Sequence, residues 1–459
     1  MIPFSTCFNL CRPFFSVEDE ISSSAHLRSN GRWWYTLAHV CQRWRNIILG
    51  STNYLGLSLL CTYGTPVADM LAHSPLLPLV VGYFRDDREL TLEDEEGIIL
   101  SLKQHGRVRR VRVSNAVTIM QKLFVVMDAC EEYPILEYLN ITRRIEDDTT
   151  ILRFPETPQA PHLLHLTLQG FAFPIGSRLL TTAVGLVTLH LVMIHSSTYF
   201  HPSTLRQWIS LMPHLEKLII YFKFSIPNRD VERQLTHIIA PITLPNLHHI
   251  NFRGVSPYLE ALVHRIATPR LKKLTIEFFN QLTFPVPRLL QFIDTTEDLR
   301  FGNAVLTFSE KGIDAVVYPH GETKVHTLNI LVNCWHFDWQ VSSMAQISNS
   351  LSQIFSAVDR LVLQHRVHNK SSEEHNEVDR TEWRNLLRPF SNVKTLRIRN
   401  GLVKDLSRWL VSEDGEPPLE PFPDLQELEY YGSSDTGKAF TSFIDARRNA
   451  GRPVNLVRQ

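Results

Sequence analysis

Pro213-His214-Leu215-Glu216-Lys217-Leu218-Ile219-Ile220 holds the pattern that decides the fold: apolar-x-x-apolar-x-apolar behind a proline. The alternation at its end suits a short strand with one buried face, and the first leucine enters from the turn before it. The proline stops any incoming helix and sets an extended approach. The same pattern recurs at Pro134–Ile141, Pro161–Leu168, Leu186–Leu191, Pro245–Phe252 and Pro269–Ile276. A poorer copy surrounds Leu299-Arg300-Phe301, and further copies run over Val325–Ile330, Val358–Leu363, Val393–Ile398 and Leu425–Tyr430. Good copies start roughly 23 to 35 residues apart, except across the poor one, a spacing that straddles and exceeds that of leucine-rich repeats.

Between the copies lie helix-compatible stretches such as Pro202–Leu211 and Thr381–Leu387. Each unit is then a strand plus a helix, and neither buries its apolar face alone. Stacking supplies the missing cover, which predicts an α/β chain with a parallel sheet in an irregular leucine-rich-repeat-like solenoid. An unrelated leucine-rich α/β domain would leave the recurrence unexplained. The copies depart from the usual repeat in lacking the Asn or Cys that follows the strand, and in their uneven length; both favour an irregular array. Polar runs at 365–380 and 411–423 read as surface loops.

The chain has 459 residues, 44% hydrophobic and 20% charged, with 47 basic against 47 acidic side chains. That composition supports a folded core and gives no global footprint for nucleic acid or an anionic membrane. Arg107-Val108-Arg109-Arg110-Val111-Arg112 reads as a strand with one charged face. The six cysteines form neither a CxxC pair nor a dense framework, which suits reduced, intracellular usage in cytoplasm or nucleus. No run of eighteen apolar residues calls for a membrane helix, and the first residues lack the basic and apolar regions of a signal peptide.

No phosphate-cradling GxGxxG or GxxxxGK[ST] occurs, and neither GxSxG nor HExxH is present. The twenty histidines scatter, and His248-His249 puts its rings on opposite sides of a strand, poor geometry for a shared metal. The expectation is therefore a protein without catalytic residues, metal or cofactor. Repeat strands that present polar side chains on one surface point to a binding face. Its candidates are His165, Thr167, Glu216, Lys217, His249, Asn251, Lys273 and Thr275, with Tyr138, Asn140, Lys394, Arg397, Glu427 and Glu429 in the same role. Their mixed charge suits a protein partner better than a phosphate backbone.

The front of the chain has a different texture. Trp33-Trp34-Tyr35-Thr36-Leu37-Ala38-His39-Val40-Cys41-Gln42-Arg43-Trp44-Arg45-Asn46-Ile47-Ile48-Leu49 carries apolar residues at Leu37, Val40, Cys41, Trp44 and Ile48, a helical stripe. Three tryptophans in so short a stretch require cover. The order of residues here, with Leu55-Gly56-Leu57-Ser58-Leu59-Leu60-Cys61-Thr62 and Thr65-Pro66-Val67 behind it, is similar to the front end of F-box proteins of mushroom-type fungi. The resemblance covers residues 32–84, and the repeats behind it agree with that family's layout.

What the resemblance implies is a substrate-recognition subunit of an SCF-type ubiquitin ligase. Trp34, Leu37, Val40, Cys41, Trp44 and Ile48 would dock on the Skp-type adaptor of the cullin ligase complex, while the repeats hold a protein substrate. Such a receptor acts by proximity and does no chemistry itself. The Leu-Pro helix that opens an F-box has no counterpart among Phe14-Phe15-Ser16-Val17-Glu18-Asp19-Glu20-Ile21. The alternative is a non-catalytic repeat scaffold with a vestigial F-box. The expected layout is an N-terminal segment over 1–31, an F-box-like helical segment over 32–84, an acidic connector over 85–100 whose run 86–96 reads as a solvated connector or a helix start, the array over 101–440 and a tail over 441–459.

Overall fold

The computed structural model describes residues 40–50, 57–74, 76–84, 89–115, 117–143, 152–194, 199–223, 240–296, 299, 301–321, 326–366, 380–399, 402–410, 422–431 and 438–459. The chain divides into two compact units, Met1–Leu168 with Gly176–Ala183, and Gln169–Ile175 with Val184–Gln459. Both are mixed α/β, and the strands are mostly parallel, as the strand–helix alternation of the sequence requires.

The first unit runs α1 (Gln42–Gly50), β1 (Leu59–Thr62), α2 (Val67–His73), β2 (Leu79–Tyr83), α3 (Leu92–Lys103), β3 (Val108–Asn115), α4 (Val117–Ala129), β4 (Tyr138–Arg143), β5 (His165–Gln169) and α5 (Arg178–Thr182). Strands β1 to β4 pair in parallel and in chain order, with β5 beside β4. One expectation changes here. The segment 32–84 is not purely helical, because Leu59–Thr62 and Leu79–Tyr83 are buried strands of the sheet. Both are short, nearly continuous apolar runs, buried along most of their length, which suits parallel strands.

The acidic stretch, read as a connector or a helix start, is the latter: its second half opens α3. Thr91 and Asp94 form a reciprocal capping box, with Thr91 Oγ1 accepting from Asp94 N at 3.1 Å and Asp94 Oδ2 accepting from Thr91 N at 3.1 Å. Acidic residues gather in the first turn, where the helix dipole favours them. Asp94 Oδ1 also accepts from Gly64 N at 2.8 Å, so this carboxylate is buried structure. The charged-face reading of β3 holds: Val108, Val111 and Val113 are buried, while Arg110 and Arg112 are half-buried on the other side.

The second unit runs β6 (Thr188–Ile194), α6 (Pro202–Ser210), β7 (Lys217–Phe222), β8 (Ile242–Thr243), β9 (His249–Gly254), α7 (Ser256–Val263), β10 (Ile266–Ala267), β11 (Lys273–Phe278), α8 (Pro287–Asp294), β12 (Asn303–Ser309), β13 (Gly312–Tyr318) and β14 (Thr327–Asn333). It continues with α9 (Phe337–Ser350), α10 (Ser352–Ser356), β15 (Arg360–Arg366), α11 (Arg380–Leu387), β16 (Thr395–Arg399), α12 (Val403–Leu410), β17 (Glu427–Tyr430), α13 (Thr441–Asn449) and β18 (Asn455–Arg458). The sheet order is β6-β7-β9-β11-β14-β13-β12-β15-β16-β17-β18, with β8 and β10 as a separate short pair.

Every pairing recorded in this sheet is parallel except those of β13, which is antiparallel to β12 and β14. The three-strand meander β12-β13-β14 thus lies reversed between β11 and β15. The poor repeat copy falls at its start: Leu299 is in the turn, and the strand begins four residues later with Asn303 in register with Arg360. At the tip of the β12-β13 hairpin, a Cβ on Gly312 would come within 2.1 Å of the Val332 carbonyl oxygen, so only glycine fits. The expected C-terminal tail is also structure: α13 is followed by β18, which pairs in parallel with β17.

The prolines act differently from expectation. Each good copy with a proline opens on a β-turn in which Pro is the second residue and the first leucine closes it. Met212-Pro213-His214-Leu215 closes through Leu215 N to Met212 O at 3.1 Å, and Thr268-Pro269-Arg270-Leu271 through Leu271 N to Thr268 O at 3.1 Å. The fixed φ of proline suits that position. The residue just before most of these strands then offers one carbonyl to two N–H groups of the neighbouring strand's lead-in. Glu216 O accepts from His248 N (3.0 Å) and His249 N (3.2 Å), and His248 O accepts from Lys272 N (2.9 Å) and Lys273 N (3.0 Å). This staple fixes the register of successive strands.

One face of the sheet is apolar and covered. In β7, β9 and β11 it carries Leu218, Ile220, Phe222, Ile250, Phe252, Leu274, Ile276 and Phe278, all buried. Helices pack side by side with one another, α6 on α7, α7 on α8 and α9 on α11, while α7 touches β9 and α9 touches β13 and β14. Aromatic edges fill the layer, with the Phe222 and Tyr258 rings 4.8 Å apart and those of Phe308 and Trp383 5.6 Å apart. Among the described residues no helix is long and apolar enough to cross a membrane.

Candidate binding face of the sheet

Period-2 alternation sends every second strand residue to the opposite face, where the side chains are mostly polar and half-buried. In the first unit this face holds Arg110 beside Tyr138 and Arg112 beside Asn140. The Arg112 guanidinium lies 3.9 Å from the centre of the Phe84 ring. His165 and Thr167 of β5 are half-buried on the same alternation, with the His165 ring 5.9 Å from that of Tyr138.

In the second unit the register brings several expected residues together. Lys217, His249 and Lys273 are direct neighbours across β7, β9 and β11, and Asn251 and Thr275 are neighbours one row further along. Glu216 does not join them. It precedes β7, exposed in the turn, where its carbonyl serves the staple. Burial, then the charges of Lys273, Lys217 and His248, lower the pKa of His249 to about 4. Its imidazole is therefore neutral at neutral pH.

Farther along the strands the face becomes an ion-pair network that pattern reading did not anticipate. Arg253 Nε lies 3.2 Å from Glu277 Oε1, which also accepts from Asn333 Nδ2 at 2.6 Å. Gln364 Nε2 donates to Thr307 Oγ1 at 2.7 Å. On β13, burial raises the pKa of Asp314 to about 6, against a smaller opposing effect of Arg366. At the C-terminal strands the buried Glu429 carboxylate holds two guanidiniums, Arg397 closely and Arg360 at 3.3 Å. Arg399 lies over the Tyr431 ring at 4.8 Å. Arg397, Glu427 and Glu429 are thus on the expected face, while Lys394 is exposed just ahead of β16.

The front-end residues are distributed unevenly. Trp34 and Leu37 lie outside the described residues. Val40 and Cys41 are exposed and precede α1 instead of lying within it; the Cys41 carbonyl accepts from Arg45 N at 3.0 Å and so begins the helix. Trp44 is half-buried and Ile48 fully buried. The continuous buried stripe expected from the spacing is therefore split, with Val40 62% exposed and Ile48 inside. The helix as described is too short to carry all positions on one face.

Among the described residues no group of three or more His, Cys, Asp or Glu side chains is placed to hold a metal. What the face offers chemically is a rigid grid of donors, acceptors and charges at fixed strand spacing. Comparison with known proteins gives no family to set beside this geometry: no protein-family model matches the chain, and no curated protein matches it in sequence.

Proposed function

We propose that the chain is the substrate-recognition subunit of an SCF-type ubiquitin ligase. In this reading the front end docks on the Skp-type adaptor, and the polar sheet face, part of an irregular leucine-rich-repeat-like array, holds a protein substrate. The observation that carries the binding half is the polar face itself, with its carbonyl-stapled strands and cross-strand rows. The exposed Val40 and Cys41 ahead of the half-buried Trp44 support an apolar docking patch. The protein then acts by holding a substrate lysine near a charged conjugating enzyme, without catalytic groups of its own.

One observation favours the alternative, a repeat scaffold with a vestigial F-box. Strands β1 and β2 extend the parallel sheet into the segment that the resemblance assigns to the front end. Co-purification of the full chain with a Skp-type adaptor separates the two readings. Retention by the wild type and at least a ten-fold loss with Trp44→Ala, about 1.4 kcal/mol, supports the receptor. No interaction in the wild type leaves the scaffold, and an interaction untouched in Trp44→Ala removes Trp44 from the docking surface.

A further inference from the structure

One part of the polar face carries cations and no acids. Register aligns Thr188, Lys217, His249, Lys273 and Thr327 in one row across β6, β7, β9, β11 and β14. The row above it is His190, Ile219, Asn251, Thr275 and Asn329. Neither contains a carboxylate. The first acid farther up these strands, Glu277, is engaged by Arg253 and Asn333. Among the described residues neither Lys217 nor Lys273 forms an ion pair, with Glu216 of the adjoining turn or any other acid.

Two further groups await partners. His249 Nε2 and Asn329 Oδ1 are buried without a hydrogen bond. A buried polar atom left this way has lost its water without a replacement, a loss that a bound group can make good. Since β9 lies between β7 and β11, the two lysines start about 9–10 Å apart, with the imidazole between them. In an extended peptide, side chains two residues apart leave the same face about 7 Å apart, and the flexible lysine and carboxylate side chains can splay to bridge the remaining few ångströms.

We propose that these two rows are the docking site for a short acidic segment of a protein partner, whose carboxylates pair with Lys217 and Lys273 across His249. The proposal rests on the sheet face being a protein-binding surface and names the chemistry of what binds. A continuous polyanion fits less well, because Glu277, Glu427 and Glu429 stand on the same face. A short acidic segment fills the cationic rows and stops before them.

The test is fluorescence anisotropy of a labelled hexaglutamate peptide titrated with the full chain at low salt. Wild type should bind, and added salt should weaken the complex as surface charges are screened. Lys217→Glu/Lys273→Glu should lose at least about ten-fold, or 1.4 kcal/mol. Lys217→Ala/Lys273→Ala should lose less, in the same direction, with the circular dichroism spectrum and melting temperature of wild type. Lys311→Glu/Arg388→Glu, exposed charges at the β12-β13 turn and just after α11, should bind like wild type.

Equal binding by the lysine variants overturns the proposal, as does absence of hexaglutamate binding by wild type. Tighter, lysine-dependent binding of a single-stranded oligonucleotide of equal charge overturns it in favour of nucleic acid. Adaptor co-purification from the same preparations keeps the two readings apart. Lysine-dependent peptide binding without adaptor leaves this site standing and removes the ligase role.

Discussion

Glu429→Gln tests how the charged end of the sheet face is held together. The Glu429 side chain is 4% exposed, against 18% for Arg397 and 47% for Arg360. The half-exposed Arg360 is well hydrated, so its bond contributes at most about 1 kcal/mol. Arg397 is different. Its guanidinium has left most of its water, and Glu429 is the carboxylate that offsets that loss. Breaking a buried pair by removing one partner costs about 3–5 kcal/mol. Gln keeps one acceptor, and Arg397 keeps some solvent, so the expected loss is about 2–3 kcal/mol.

Arg397→Met should cost a similar amount, because it leaves Glu429 buried with only the half-exposed Arg360 as partner. The double variant should cost clearly less than the sum, by about 1.5–2 kcal/mol, since neither uncompensated charge remains. Urea unfolding followed by circular dichroism at pH 7 supplies the free energies for all four proteins. If the two single losses add to within about 0.5 kcal/mol, the pair is uncoupled and the electrostatic account of this face is wrong.

Two other outcomes follow from buried polar groups. Asp314 has its folded pKa raised from 3.8 to about 6 by burial, so it favours the native state below pH 3.8 and loses that contribution as pH rises through 6. Asp314→Asn should therefore gain about 1–2 kcal/mol at pH 7.5 and almost nothing near pH 4, read as the difference in melting temperature; a gain independent of pH would refute the cause. Arg206 is buried in the helix layer and donates to Leu262 O at 2.8 Å, to Ala240 O at 3.1 Å and to His264 O. Arg206→Met leaves those carbonyls without their donor and should cost about 3–5 kcal/mol in urea unfolding, with Arg206→Lys intermediate; a loss under about 1 kcal/mol contradicts this role.

Much of the fold was legible where one local rule acted. Prolines at 134, 161, 213, 245 and 269 each mark a turn, and the apolar positions after them are the buried side of a strand. The strands missed were those outside the recurring pattern, whether or not a proline leads the copies within it. Leu59–Thr62 and Leu79–Tyr83 sit among helix-compatible residues, and Asn455–Arg458 is a short strand whose place depends on β17. The meander could not be read from period alone, because its reversed order is a choice among distant partners.

The binding face was half legible for the same reason. Alternation places Lys217, His249 and Lys273 outward, but the pairing of Arg253 with Glu277 and of Arg397 with Glu429 joins residues from different repeats. Such pairs are set by register, which the staple fixes and the composition does not announce. Glu216 shows the converse error. A polar residue beside a strand pattern was taken for part of its face, although it lies one position ahead, in the turn.

The reversed meander has a consequence for how the chain can be assembled. Elsewhere in the second unit β15, β16 and β17 each find a partner in the next strand to be made. At the meander this stops: β11 must wait for β14 and β12 for β15, each about fifty residues later. A nascent chain ending inside 303–333 would hold β11 with a bare edge, open to pairing with another molecule. The meander is thus a gate in synthesis. Once β14 and β15 have closed on it, the strands made before it and those made after it become one sheet.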